Sequence, residues 1–147
     1  MEDAKKILGE SFAKDADFLE SVIKSCGLKS GSRVLDIGTG DGHMAILLAL
    51  NGLKVTTGEP QGEEWGEWKS SADKLHAREN IEFQPFRAES LPFEEDSFQG
   101  IFLHVTLHHV EDKSLAMQEC LRVLKLSGIL VIIELNEGDV KEVQARY

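Results

Sequence analysis

Cysteine is scarce, and so are basic residues. The two cysteines, Cys26 and Cys120, stand far apart and form no CxxC pair, which leaves reduced thiols packed as small apolar side chains as the simplest reading. Against 26 acidic residues there are 16 lysines and arginines, a formal net charge of -10. Nucleic-acid binding depends on neutralising phosphates, so this balance argues against an unaided DNA or RNA binder. No apolar run reaches the ~18 residues of a membrane-spanning helix, and Met1-Glu2-Asp3 lacks the basic and then apolar opening of a signal peptide. The expectation is a soluble, cytoplasmic protein. Internal repeats, low-complexity tracts and long linkers are missing too. With 41% apolar residues in 147, what remains is one domain large enough for a genuine core.

The stretch that organises the chain runs from Arg33 to Gly42. Val34, Leu35 and Ile37 make an apolar strand, glycines follow at the alternate positions 38, 40 and 42, and an amphipathic run, read as a helix start, extends from His43 to Leu50. Glycines serve in such a turn because a ligand can approach a backbone that carries no Cβ. The spacing is not the dinucleotide fingerprint, whose third glycine would fall at position 43. Asp36 sits at the strand end, where a carboxylate repels a pyrophosphate and favours an ammonium or sulfonium group. The turn therefore reads as built for a cationic nucleoside.

Around this stretch, strand and helix alternate. Residues 3–26 read as a helix interrupted near Gly9, with Phe12, Ala16, Leu19 and Ile23 on one face, either covering the sheet or also closing over a cofactor. A second strand, residues 54–58, ends in Glu59, an acid about 20 residues after the glycine turn and suited to ribose hydroxyls. Residues 62–79 read as a helix whose Trp65, Trp68, Ala72 and Leu75 form a core stripe, with base stacking as the alternative. Strand 81–86 leads to Ala88 and Glu89, which offer donor and acceptor to an adenine edge or else form a solvated loop.

Strand 99–105 is almost continuously apolar, as a strand buried on both faces should be, and opens into Thr106, His108, His109, Glu111 and Asp112. Adjacent histidines point apart, so no metal site is expected. One of them either lines a pocket, as base or hydrogen-bond partner, or plays a structural part. Asp112 is a plausible N-cap for a helix over 113–125, and strand 129–135 precedes a polar tail, 136–147, with room for one helical turn. Such alternation predicts a parallel sheet covered on both faces, with ligands at the carboxyl ends of its strands.

Val34-Leu35-Asp36-Ile37-Gly38-Thr39-Gly40-Asp41-Gly42 resembles, position by position, the first motif of class I S-adenosylmethionine-dependent methyltransferases of the small-molecule type. Residues 55–59, 88–93 and 119–125 are similar to three further motifs, and the likeness covers roughly residues 31–135. It implies a three-layer Rossmann-like α/β sandwich with a mainly parallel sheet in the order 3-2-1-4-5. Residues 1–30 form an N-terminal helical segment, 31–135 the core and 136–147 a short tail. It implies S-adenosylmethionine as cofactor, with S-adenosylhomocysteine as product. Asp36, Ile37, Gly38, Thr39, Gly40 and Gly42 would lie around the methionine end, Glu59 and Pro60 at the ribose, and Ala88, Glu89 and Ser90 at the adenine. Leu103 and His104 would flank the methyl group.

Gln99 and Ser127 depart mildly from the family's pattern, and the usual sixth and seventh strands are not expected from so short a tail. Strand 5 would then be an apolar edge, to be covered by a second copy of the chain or by a partner. In-line methyl transfer to a small-molecule acceptor chiefly needs alignment in a dry pocket, with His104 or His108 as candidate base. The alternatives are a non-catalytic S-adenosylmethionine-binding subunit that relies on a partner chain, and a nicotinamide-dependent oxidoreductase, which Asp36 disfavours.

Overall fold

The computed structural model describes residues 1–63, 66–135 and, as backbone, 141–146. Strands β1 (Arg33–Ile37), β2 (Lys54–Gly58), β3 (Ile81–Phe83), β4 (Phe98–His104), β5 (Leu124–Leu135) and β6 (Lys141–Arg146) form one sheet in the order β3-β2-β1-β4-β5-β6. The first five are parallel and β6 is antiparallel to β5. Helices α1 (Glu2–Leu8), α2 (Glu10–Ser25), α3 (His43–Leu50) and α4 (Glu67–Lys74) contribute to one apolar layer, and α5 (Lys113–Val123) to the other.

Alternation along the strands divides the core. Val34, Val55, Phe102, Val131 and Ile133 pack with Phe12, Ala16, Leu19 and Ile23 of α2 and with the buried length of α3. Leu35, Ile37, Ile101, Leu103 and Leu130 pack with Ala116, Cys120 and Val123 of α5. Residues 44–49 of α3 are all buried, so this short helix sits inside the fold rather than on it. Gly9, at φ 89°, separates α1 from α2, and Trp68 is buried as core. Trp65 lies outside the described residues. Burial pushes the Cys120 thiol up to about 12.

Several boundaries differ from the sequence expectation. Helix α5 stops at Val123, because Leu124 pairs with Phe98 and begins β5 ahead of Gly128. The third strand ends at Phe83, and β4 ends at His104, where Val105 leaves the extended region at φ 52°. The larger correction concerns the tail. A sixth strand is present: residues 141–146 pair with β5 from Leu130↔Arg146 to Leu135↔Lys141. An antiparallel return needs only a short connection, and it satisfies the amides and carbonyls an open edge would expose. The chain thus covers this edge itself, and the argument for a second copy there falls away. No seventh strand lies among the described residues.

Gly58 shows how tightly the strand ends are packed. A Cβ there would fall on the Gln84 carbonyl oxygen and lie 2.5 Å from the Phe86 ring. Gly58→Ala is therefore expected to lower unfolding free energy by about 1–3 kcal/mol or more, read by urea denaturation.

Candidate active site

A cleft of about 750 Å³ opens at the carboxyl ends of the parallel strands. Its walls are residues 37–41 of the glycine turn, 58–60 after β2, 86–89 after β3, and 104–106 and 109–111 after β4, with His43 and Met44 from α3. The turn is stitched to β2, since the amides of Gly38 and Thr39 both donate to the Gly58 carbonyl at 3.0 and 3.2 Å. Gly38, at φ 88°, leaves no room for a Cβ, which would strike Thr106. Gly40, at φ 50°, faces open space and donates its amide to Glu59 Oε2 at 2.5 Å.

Beneath this turn lies Asp36, 1% exposed and outside the cleft lining. Its Oδ2 accepts from Thr57 Oγ1 at 2.8 Å. The Thr57 hydroxyl has one proton to give, so the 2.8 Å contact between the Thr39 and Thr57 hydroxyls is donated by Thr39, which does line the cleft. Asp36 Oδ1 has no hydrogen-bond partner among the described residues. Burial pushes the Asp36 carboxyl up to about 8, the Glu59 charge adds to this, and the Thr57 hydrogen bond partly offsets it. Burial also lowers the His43 imidazole, with Asp41 and Asp15 acting against it. Its ring meets Phe12 edge-on at 5.3 Å.

After β4 the chain turns at Val105. A β-branched residue at φ 52° is strained, at a cost of order 1–3 kcal/mol. Its amide bonds the Ile133 carbonyl at 2.7 Å, and Thr106 Oγ1 donates to the His104 carbonyl at 3.1 Å. His108 does not enter the cleft, which corrects the expectation for it. Glu134 takes both its backbone amide, at 3.3 Å, and its Nδ1, at 3.0 Å. The neighbouring His109, ring centroid 3.8 Å away, lines the cleft instead, as does His104.

Of the other expected residues, Ile37, Gly38, Thr39, Gly40, Glu59, Pro60, Ala88 and Glu89 come together around the cleft. Gly42, Ser90 and Leu103 do not line it. Gly42 caps α3 against Trp68, Ser90 closes a turn onto the Arg87 carbonyl at 3.1 Å, and Leu103 faces the α5 layer. Arg87, Thr106, His109 and Glu111 also line it. The sequence left open which histidine would line a pocket and marked no such part for Arg87, Thr106 or Glu111, because a loop's path has no periodicity to read. The loop after Glu89 is pinned by α5: Arg122 donates to the Leu91 and Phe93 carbonyls at 2.9 and 2.7 Å, and Glu119 accepts from the Leu91 amide at 2.8 Å. The Arg122 hydrogen bond is the main cause holding the Glu119 carboxyl below its usual range.

A family model described as a methyltransferase domain matches residues 35–132. The chain belongs to the class I S-adenosylmethionine-dependent methyltransferases. An uncharacterized methyltransferase of Bacillus subtilis, YcgJ, is 37% identical to this methyltransferase domain over 84% of the chain and 48% of the relative. Its crystal structure superposes with a TM-score of 0.72 at 34% identity, covering 80% of this chain and 50% of that one. A demethylmenaquinone methyltransferase of Staphylococcus aureus is 31% identical over 93% of the chain and 57% of its own length. The crystal structure of SpnF, a [4+2]-cyclase, superposes at a TM-score of 0.73 and 27% identity, over 82% of this chain and 45% of that one. The chain spans about half the length of the curated relatives it matches.

The residues present fit the donor this family implies. S-adenosylmethionine brings a sulfonium and an ammonium, and the cleft sets beneath its glycine turn a buried carboxylate oxygen without a partner, backed by a second acid, Glu59. Among the described lining residues the one arginine, Arg87, pairs with Glu89 and Glu111 at 3.7 and 3.9 Å.

A raised carboxyl carries a stability consequence. Between about pH 4 and about 8 the native chain holds a proton on Asp36 that the unfolded chain has released, so this group's contribution to stability falls as pH rises. Asp36→Asn, which cannot ionise, is expected to remove that slope. Its unfolding free energy relative to wild type should climb with pH across this window in urea titrations.

Proposed function

We propose that this chain is the catalytic module of an S-adenosylmethionine-dependent methyltransferase acting on a small-molecule acceptor. The observation that carries the reading is the unpartnered, buried Asp36 carboxylate oxygen beneath a glycine turn at the carboxyl ends of a parallel sheet. When bound, the cofactor supplies an activated methyl group on a positively charged sulfur. The backbone of Gly38 and Gly40 would run under it, Asp36 would meet its cationic end, Glu59 would accept from the ribose hydroxyls, and Ala88 and Glu89 would meet the adenine. Glu59 is already held in place through the Gly40 amide.

The chain's own work is then alignment and exclusion of water, which proximity can convert into large accelerations. Met44, Val110 and the Phe86 ring give the cleft an apolar lining. Where the acceptor carries a proton, His104 and His109 both line the cleft and can take it at a ring nitrogen. Because the Staphylococcus aureus relative is named for demethylmenaquinone, a reduced naphthoquinone is the first acceptor to try.

A second reading is a cofactor-binding subunit that transfers no methyl group by itself and relies on a partner chain for its substrate. One observation favours it: the same fold, at comparable likeness, serves a [4+2]-cyclase.

Titration calorimetry should detect S-adenosylmethionine and S-adenosylhomocysteine binding, and saturation by NADH with no heat from either would overturn the proposal. Losing charged hydrogen bonds to the ribose, Glu59→Ala should weaken S-adenosylhomocysteine binding about 10- to 100-fold. With radiolabelled donor and reduced 1,4-naphthoquinone, whose ring still carries the hydrogen to be replaced, His109→Ala should lower methyl transfer about 10-fold or more while that affinity stays within about twofold. Donor binding without transfer to any acceptor would favour the second reading.

A further inference from the structure

Asp36 has more to do than sit near a cation. Its carboxyl is 1% exposed and receives one hydrogen bond, and the described lining of the cleft above it holds no lysine and one arginine, Arg87, which pairs with Glu89 and Glu111. One ionisable group acts on it directly. At the end of β2 stands Glu59, whose charge reaches it, and at the end of β4 stands His104. Further along the turn, Asp41 and, from α2, Asp15 act on His43 rather than on Asp36. Within its own register, Asp36 lies between Thr57 of β2 and Phe102 of β4, neither of them charged at neutral pH. A buried carboxylate in company with a second acid is unfavourable until a positive charge arrives.

Resting on the function proposed above, we infer that Asp36 holds a proton in the free protein and releases it when the cationic donor enters the cleft, so that donor affinity is set by pH through this one residue. The O–H bond of the Asp36 carboxyl breaks, its electron pair stays on the carboxylate, and the proton passes to the buffer. The carboxylate then faces the donor's positive charge across the turn that Thr39 and Gly38 form. Burial enough to hold the proton follows from the same packing that keeps the dielectric low, so the charge interaction gained on binding is large. Raised to about 8 before binding, the group makes the linkage visible around neutral pH.

The test is calorimetry of S-adenosylmethionine binding to the whole chain, at about pH 6.5 and about pH 9.5, in buffers of different ionisation enthalpy. The expected result is release of about one proton per donor at the lower pH and no release at the higher, where the donor's own ammonium is largely deprotonated, with affinity rising up to about tenfold per pH unit below about 7. Asp36→Asn should bind with buffer-independent heat at the lower pH and an affinity nearly flat below about pH 7, above which the donor's own ammonium titrates. An infrared difference spectrum of the wild-type chain should show a protonated-carboxyl carbonyl band lost on donor binding, which needs no variant to fold. Donor binding without proton release at the lower pH overturns the inference and leaves the proposed function standing. Proton release that persists in Asp36→Asn overturns the assignment to this residue. No donor binding at any pH overturns both.

Discussion

The Gly58 carbonyl is the point on which the site depends. It accepts the amides of both Gly38 and Thr39, and so welds the turn after β1 to the end of β2. With that carbonyl engaged, Gly40 swings its amide to Glu59 and Thr39 swings its hydroxyl to Thr57, closing the chain of hydrogen bonds over Asp36. Three buried side chains, Asp36 and Thr57 from two strands and Thr39 from the turn, are thereby held together. A site built on strand ends and backbone amides is prepared before its ligand arrives, which reduces what binding must order.

The opposite wall is made in a different way. The chain leaving β4 is bent by a strained Val105, and the following turn is anchored through Glu134 on β5 rather than by packing alone. Strain at such a position persists only where neighbours over-determine it, and here the Ile133 carbonyl and Glu134 do so. The result is that His104 and His109 face the cleft while His108 is turned to β5. Between the two walls the chain after β3 is held by α5, where Glu119 and Arg122 grip the loop that follows Glu89. Each wall of the cleft thus draws on an element far away in sequence.

Much of this was legible in advance. The sheet order, a sheet covered on both faces, and the placing of Asp36, the glycine turn, Glu59 and Ala88–Glu89 at the carboxyl ends of the strands followed from strand–helix alternation, from glycine spacing and from the family resemblance, while which helices share a face did not. The helix and strand limits around Leu124 did not, because an apolar run of that kind suits a helix end or a strand equally, and pairing with Phe98 decides it. Nor did β6, since residues 141–146 carry no strand pattern that outweighs their polarity, and their pairing is offered by the open edge of β5.

By itself the sequence determined the strand–helix alternation and set an acid beside a glycine turn at a strand end, because both rest on local rules: alternation sets faces, and neighbours in the chain stay neighbours in space. Only the tertiary structure decided which of two adjacent histidines enters the cleft, that Asp36 lies under its floor and not in its wall, and that the last parallel strand is covered by its own chain. Those outcomes depend on which distant groups happen to meet, Glu134 with His108, Thr57 with Asp36, β6 with β5, and no window of consecutive residues contains both partners.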